Sequence, residues 1–394
     1  MGALIGRLAA IVSLALAALV PAAPSVESPP PAGQVTIAGP YEPVFTWRRQ
    51  ACEPQEVPDL PARAFRDYGG RVQLLISHYE NFRLIGRSLE RLHGECHAVM
   101  RSHQSASPSR FENREWLASV YTTDGRTIWA LVHEEYQGNT HPGACPAHSY
   151  YACWYNAVTL ARSTNGGRTY THKPPPQQVI AAPSTPYQPD SGPLGVFTPS
   201  NIVTGPDGAH YALVRIRAPG GAHGACLLRS TRVGSPSAWR AFDGRGFNAT
   251  LPDPYSAAAP ATRGCAQVGA GRIAEMTESL TYNTVLHRYL LVGMAPPGPL
   301  SIGARATGIY FSTSVDLVHW SPRILITPAV SVQTYRCGGA SPIAYPSVID
   351  PASGSRVFAT SGASPYLYFT QFHYEGCHQT LNRDLLRVRL QISP

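Results

Sequence analysis

The chain has 394 residues, a formal net charge of +8 and 43% hydrophobic residues, enough for one large core or two smaller ones. Nearly all of its positive charge is arginine, with Lys173 the only lysine, and these residues are scattered along the chain. That pattern lacks the dense basic run of a nucleic-acid-binding protein.

The N-terminus, "MGALIGRLAAIVSLALAALVPAAPS", carries one arginine, an apolar run over residues 8–20 and then small residues. It reads as a secretory signal peptide over residues 1–23, too short in its apolar run to span a bilayer. No cysteine follows it to carry a lipid anchor. Residues 24–40 read as a disordered Pro/Ser/Ala tether, and residues 41–394 as a single folded domain, exported to the extracellular space. Eight cysteines follow, an even number that suits disulfides after export. Cys145 and Cys153 are expected to close a short loop. The other pairs cannot be read from the sequence; Cys52–Cys96, Cys226–Cys265 and Cys337–Cys377 are the simplest guess. The chain has no CxxC, which argues against a zinc–thiolate site.

Helical periodicity is sparse, its best trace being "RLIGRSLERLHG". Short strand-like runs alternate with Gly/Pro/Asn/Asp turns instead. "EWLASVYTTDGRTIWALVHEEYQG" places two strands about a turn at Asp124-Gly125, and "YNAVTLARS" supplies a third. Similar groupings recur, giving five units at about 61–105, 115–173, 198–241, 277–322 and 344–392. Each suits a four-stranded antiparallel sheet, and "EPVFTWRR" near residue 42 is placed to add the outer strand of the last. The predicted fold is an all-β, five-bladed β-propeller, with two packed β domains as the alternative.

"ARSTNGGRTY" (161–170) follows the third strand of unit two, where the chain turns into the fourth. Its glycines permit a tight turn, Ser163 and Asn165 can bond backbone groups within it, and Tyr170 can tuck between sheets. It reads as a fastener of the scaffold. "RSTRVGSPSAW" and "STSVDLVHW" are weaker copies. "STNGGRTY" resembles the Asp-box of sialidases and related propellers, with Asn165 in the Asp place and Tyr170 in the Trp place. "STSVDLVHW" resembles a stretch of five-bladed glycoside hydrolases of the arabinanase, xylosidase and fructosidase type. The resemblance implies a propeller acting on glycans. The arginine triad of sialidases is missing, and five units do not match their six blades.

A propeller gathers its first strands around one channel, so polar groups distant in sequence can meet at its mouth. Asp67, in "RAFRDYGG", is a candidate base or nucleophile, with Arg66 placed to pair with it; the resemblance adds that five-bladed hydrolases hold an aspartate in their first blade. "VHEEYQG" ends the second strand of unit two. Alternation puts His133 and Glu135 on one face and Glu134 on the other. Glu135 is the candidate general acid, kept protonated by desolvation and a neighbouring carboxylate, and His133 would orient it or bind a sugar hydroxyl. The same H-x-E spacing ends the second strands of unit one (His78, Glu80) and unit five (His373, Glu375). Glu134, Glu278 and Asp350 are candidates for a third carboxylate, Glu278 lying nearest the start of unit four's first strand. Asn201 and Tyr282 are placed to hold substrate hydroxyls.

The leading reading is a secreted, monomeric glycoside hydrolase acting on a poly- or oligosaccharide. Glu135 would protonate the leaving oxygen and Asp67 would activate water, the inverting course favoured by analogy with the five-bladed relatives. No cofactor is required, with a structural calcium in the central channel left open, and neither nucleic acid nor membrane is an expected partner. The alternatives are a non-catalytic glycan-binding propeller, or a polysaccharide lyase using Tyr374 with His373 or Tyr79 with His78. The chain has no G-x-S-x-G elbow and no phosphate-binding glycine loop.

Overall fold

The computed structural model describes residues 33–218, 223–256, 264–303 and 305–394. The signal-peptide expectation lies outside them. The chain is nearly all strand; among the described residues the one α-helix is the single turn Trp47–Gln50. None of those residues forms a helix long and apolar enough to cross a membrane.

Among the described residues the strands form four sheets, and the expected units two and three lie in one ten-stranded sheet, joined where Trp154–Ser163 pairs in parallel with Leu194–Phe197. Within the expected units the pairing is antiparallel. Unit one runs Arg63–Arg66, Val72–Ile76, Glu80–Gly86 and Leu92–Gly94. Unit two runs Arg114–Tyr121, Ile128–Gln137 and Trp154–Ser163, with Thr171–His172 and Val179–Ala181 outside. Unit three runs Leu194–Phe197 with Val203–Thr204, then His210–Arg217, His223–Ser230 and Trp239–Ala241. Unit four runs Ser279–Asn283, Arg288–Ala295, Gly308–Ser314 and Ile324–Pro328. Unit five runs Ile343–Ile349, Tyr366–Glu375 and His378–Ser393. Its outer strands come from the other end of the chain: Glu42–Phe45, as expected, and Gln34–Ile37. The tether assignment therefore fails for residues 34–37. Val35 alternates inward, is buried, and packs on Leu390 and Ile392 of the sheet it joins. "RLIGRSLERLHG" is strand, turn and strand, because Leu84 and Ile85 serve opposite faces of a buried strand.

The core lies between the units. Phe65 and Leu75 of unit one meet Leu117 and Val132 of unit two. Val158 and Leu160 meet Val214 and Leu228 of unit three. Leu213 and Leu227 meet Leu280 and Leu291 of unit four. Leu290 and Val292 meet Leu367 and Val388 of unit five. Tyr368 and Leu385 return to Leu74 and Leu84 of unit one. Each seam also carries a polar bridge between units. In order, these are Ser77 Oγ to Leu117 O, Thr198 N to His133 Nδ1, Leu280 N to Asn201 Oδ1, Val348 N to Ser279 Oγ, and Ser347 Oγ to Ala62 O.

All five units meet at one side chain. Arg63, on the first strand of unit one, is 2% exposed. Its Nε donates to Ala118 O of unit two (2.9 Å), Nη1 to Ser347 Oγ of unit five (3.0 Å), and Nη2 to Pro199 O (3.4 Å) and Glu278 O (2.5 Å), which enter units three and four. Burial lowers the guanidinium to about 9, which still leaves it charged at neutral pH.

The turn motifs fasten the outside as expected. Ser163 Oγ accepts Gly167 N, and Asn165 Oδ1 accepts the amides of Arg168 and Thr169. Gly167 has φ +84°, and a Cβ there would meet Phe65 and Gln73 of unit one at about 2.5 Å. Tyr170 is buried in the seam between units one and two. In unit four, Ser314 and Asp316 repeat the pattern, and Trp320 Nε1 donates to Leu317 O. In unit three, Trp239 Nε1 donates to Val233 O. All four cysteine pairs are those expected: Cys52–Cys96, Cys145–Cys153, Cys226–Cys265 and Cys337–Cys377.

Replacing Arg63 by Met strips several carbonyls of their shared donor in a buried centre. Urea unfolding should show a loss of about 3–5 kcal/mol. A loss under about 1 kcal/mol would show that the hub is dispensable.

Candidate functional site

First strands start at one end of the molecule and second strands return to it, so the two ends differ in chemistry. Asp59 precedes unit one's first strand, and its amide donates to Ser77 O at the end of the second. His78, Glu135 with its cross-strand partner Arg114, Glu278 and Tyr345 belong to this same end. It is the candidate site.

Asp59 is the carboxylate that the sequence reading missed. Its Oδ1 accepts hydrogen bonds from Tyr345 Oη (3.1 Å) and from Arg383, and Oδ2 lies 3.7 Å from His78 Nε2. Glu135, 6% exposed, accepts His133 Nε2 on Oε1 (2.9 Å) and Gln137 Nε2 (2.6 Å) and Tyr150 Oη (3.3 Å) on Oε2. His133 Nδ1 accepts Thr198 N at 3.1 Å, so the ring's proton sits on Nε2 and points at Glu135. Tyr150 is delivered by the loop that the Cys145–Cys153 disulfide closes, and its ring stacks on Trp154.

Each of these two carboxylates holds one tyrosine, Glu135 holding Tyr150 and Asp59 holding Tyr345. Burial first, then the charges of both Glu135 and Asp59, raises the hydroxyls of Tyr150 and Tyr345, so both remain donors. Tyr345 adopts φ +59° and Thr198 φ +24°, backbone conformations uncommon for such side chains. Strained residues of this kind cluster at functional sites. Glu278 lies beside Arg215. Burial raises its carboxyl, against the amides of Met294 and Thr277 that it accepts on Oε1 and Oε2. Arg215 reaches Glu275 (3.7 Å), and its Nε and that of Arg383 have no hydrogen-bond partner. The mouth thus presents carboxyl groups from units one, two and four among arginines, tyrosines and imidazoles.

Other expectations need correction. Asp67 follows the first strand and so stands at the far end. Tyr68 N beside it donates to Gly125 O of the hairpin that opens unit two's second strand, seven strand residues or roughly 23 Å from Glu135. Its oxygens accept Gly69 N, Arg71 N and side chain, and Gln73 Nε2; it organises its own turn. Arg66 does not pair with it, but stacks on Phe358 and donates to Ser355 O and Pro351 O. Tyr282 is also at the far end, packed on Tyr289. Asn201 spends its Oδ1 on the seam to unit four. Glu134 does face away from Glu135 as expected. It is Glu134 that burial and the neighbouring Glu115 push well above the ordinary carboxyl range. Only unit two's H-x-E forms a pair. Glu80 bonds Arg101, His373 bonds Asp384 (2.9 Å), and Glu375 is exposed beside Arg48. Asp350 caps its own turn and Gly362 N.

No protein-family model matches the chain, and no curated protein matches it. Solved structures do. A protein of unknown function from Dyadobacter fermentans aligns over 91% of this chain and 99% of its own, with 11% identity and a TM-score of 0.50. The catalytic domain of a GH62 α-L-arabinofuranosidase from Coprinopsis cinerea aligns over 91% and 98%, with 13% identity and a TM-score of 0.46. An endo-1,4-β-xylanase from Bacteroides thetaiotaomicron aligns over 86% and 96%, with 11% identity and a TM-score of 0.45. The chain is similar in structure to five-bladed β-propeller glycoside hydrolases.

His78 supplies a pH test. Burial first, with Arg383 and Arg114, holds its imidazole at about 4 against an ordinary 6.5; Asp59 and Glu135 pull the other way. The unfolded chain takes up this proton as pH falls through 6.5, whereas the native chain does so only near 4. The group's contribution is therefore whole above 6.5 and is lost between 6.5 and 4, by about 3 kcal/mol. A His78→Asn variant should lose less stability than wild type across that window in urea titrations at stepped pH. An imidazole signal for His78 titrating near 6.5 by NMR would contradict the assignment.

Proposed function

We propose that the protein is a secreted glycoside hydrolase built as a five-bladed propeller, cleaving a poly- or oligosaccharide at the mouth that Asp59, Glu135 and Glu278 share. The observation that carries the reading is the placement of Asp59, bonded by Tyr345 and Arg383, and of Glu135, bonded by Tyr150, at one end, each acid adding to the burial that raises both tyrosine hydroxyls, with Glu278 beside Arg215 at the same end. Asp59 takes the role that the sequence assigned to Asp67. Hydrolysis of a glycosidic bond needs one group to give a proton to the leaving oxygen and another to activate water or stabilise the oxocarbenium-like carbon. Glu278 is the mouth carboxyl that desolvation raises, which suits the proton donor. Asp59, fixed by Arg383 and Tyr345, suits the base. Glu135, with three donors on its two oxygens, suits a charge placed to stabilise the developing cation or to accept a sugar hydroxyl. His133 holds Glu135 in place through the seam to unit three.

The disulfides suit an oxidising compartment, and the N-terminal run suits export. A second reading, a glycan-binding propeller without turnover, draws on the ion pair of Asp59 with Arg383, which occupies one of the two acids.

The test is a panel of plant and bacterial polysaccharides with matched aryl glycosides. On a cleaved substrate, Asp59→Asn, Glu135→Gln and Glu278→Gln should each lower kcat by at least about 100-fold. Glu278→Gln should recover most of its rate on an aryl glycoside whose leaving group needs no proton. Full activity in all three variants would remove the site assignment, and binding without cleavage would favour the second reading.

A further inference from the structure

Behind Glu135, on the opposite face of its strand, lies a second cluster that the hydrolase reading does not use. Glu115 and Glu134 face each other across adjacent strands of unit two, and both are fully buried. Carboxylates so placed repel unless something positive lies between them. Glu115 Oε2 and Glu134 Oε2 have no hydrogen-bond partner. Glu115 Oε1 faces His172 Nε2 at 3.1 Å. The other nitrogen of that ring, Nδ1, lies 3.1 Å from Lys173 O, where only a donor is satisfied. With its proton on Nδ1, His172 turns the lone pair of Nε2 towards a carboxylate oxygen. Two acceptors would then meet there, to be joined either by a metal cation or by a second proton on the ring. His103, from the segment that trails unit one, completes the group. Its ring stands edge-on to His172, with centroids 5.8 Å apart, and donor atoms of His103, Glu115 and His172 all lie within 4.8 Å of one another.

We infer that His103, Glu115 and His172 form a binding site for a divalent transition-metal ion of the zinc type, with Glu134 beside the fourth position. Two imidazoles and one carboxylate are a ligand set that zinc accepts, and an Nδ1–H bonded to a backbone carbonyl is the usual outer partner of a ligating histidine. Burial sets Glu115 and His172 in place, while His103 is exposed, so an ion can enter from solvent without opening the core. The ion would bind unit one's trailing segment to the first strand of unit two, which carries Arg114, and to its outer strand Thr171–His172, bracing the mouth from behind. The competing account fills the gap with a proton: an imidazolium of His172 against Glu115, with Glu134 neutral. The two accounts differ in what His103 does, since the proton account gives it no part.

The experiment strips the full chain with chelator and titrates it with Zn²⁺ by calorimetry and with Co²⁺ by visible absorption. Wild type should take up one equivalent of Zn²⁺ and develop the d–d bands of a low-coordinate Co²⁺ site. His103→Ala, a surface change that leaves the fold intact by circular dichroism, should weaken Zn²⁺ at least about tenfold and abolish those bands. Glu115→Gln should do the same if it folds. Zn²⁺ should raise the melting temperature of wild type and not of His103→Ala. No uptake by wild type, or equal uptake by His103→Ala, would overturn the site and leave the imidazolium–carboxylate pair as the explanation.

Discussion

A single buried guanidinium sets the geometry of this protein. Arg63 has five N–H donors in one plane, and groups from the four other units lie within reach of them. A charge taken out of water is costly unless each donor finds an acceptor. That requirement forces the entrances of units three and four and the first strands of units two and five to stand at fixed distances from unit one. The apolar seams supply most of the burial, but they are non-directional and tolerate sliding. The directional bonds at the centre and the polar bridge across each seam are what select one arrangement.

From that arrangement the candidate site follows. Once first strands start together, the ends of second strands return to the same place. Asp59 before unit one, Glu135 closing a second strand in unit two, and Glu278 before unit four then share one mouth. Several of its features run against local stability: a tyrosine and a threonine with left-handed backbone, an imidazole that burial keeps neutral, and arginine nitrogens without partners. Proteins retain such features where the surroundings over-determine them. Here, the disulfide loop carrying Tyr150 and the seam bond from Thr198 to His133 provide that support.

Much of the architecture was legible in the sequence, because strand alternation and turn residues are local signals. The strand runs, the outer strand near residue 42 and the turn fasteners came from such signals, whereas of the cysteine pairs only Cys145–Cys153 had a local one, its short loop. Gln34–Ile37 was missed because four residues flanked by prolines and alanines look like linker; the partner strand lies at the other end of the chain. The site was half legible. H-x-E at the end of a second strand pointed to His133, Glu135 and His78. Asp67 was misplaced by direction: the end of a first strand and the end of a second strand cannot lie at the same edge of an antiparallel sheet. The same rule, applied to "VPDLPARAF", singles out Asp59, which precedes the strand instead of following it. Tyr150 and Tyr345 gave no signal, since one depends on a disulfide loop and the other on an unusual backbone angle.

The central claim is that the acids of three units act on one sugar chain at the end where first strands begin. A crystal structure of the Glu278→Gln variant with a bound oligosaccharide from the panel tests it most directly. The account predicts a glycosidic oxygen within hydrogen-bond distance of the side-chain amide that this substitution introduces, with Asp59 on the opposite face of the neighbouring ring. A sugar chain seated at the far end, among Asp67 and the turn fasteners, would contradict it.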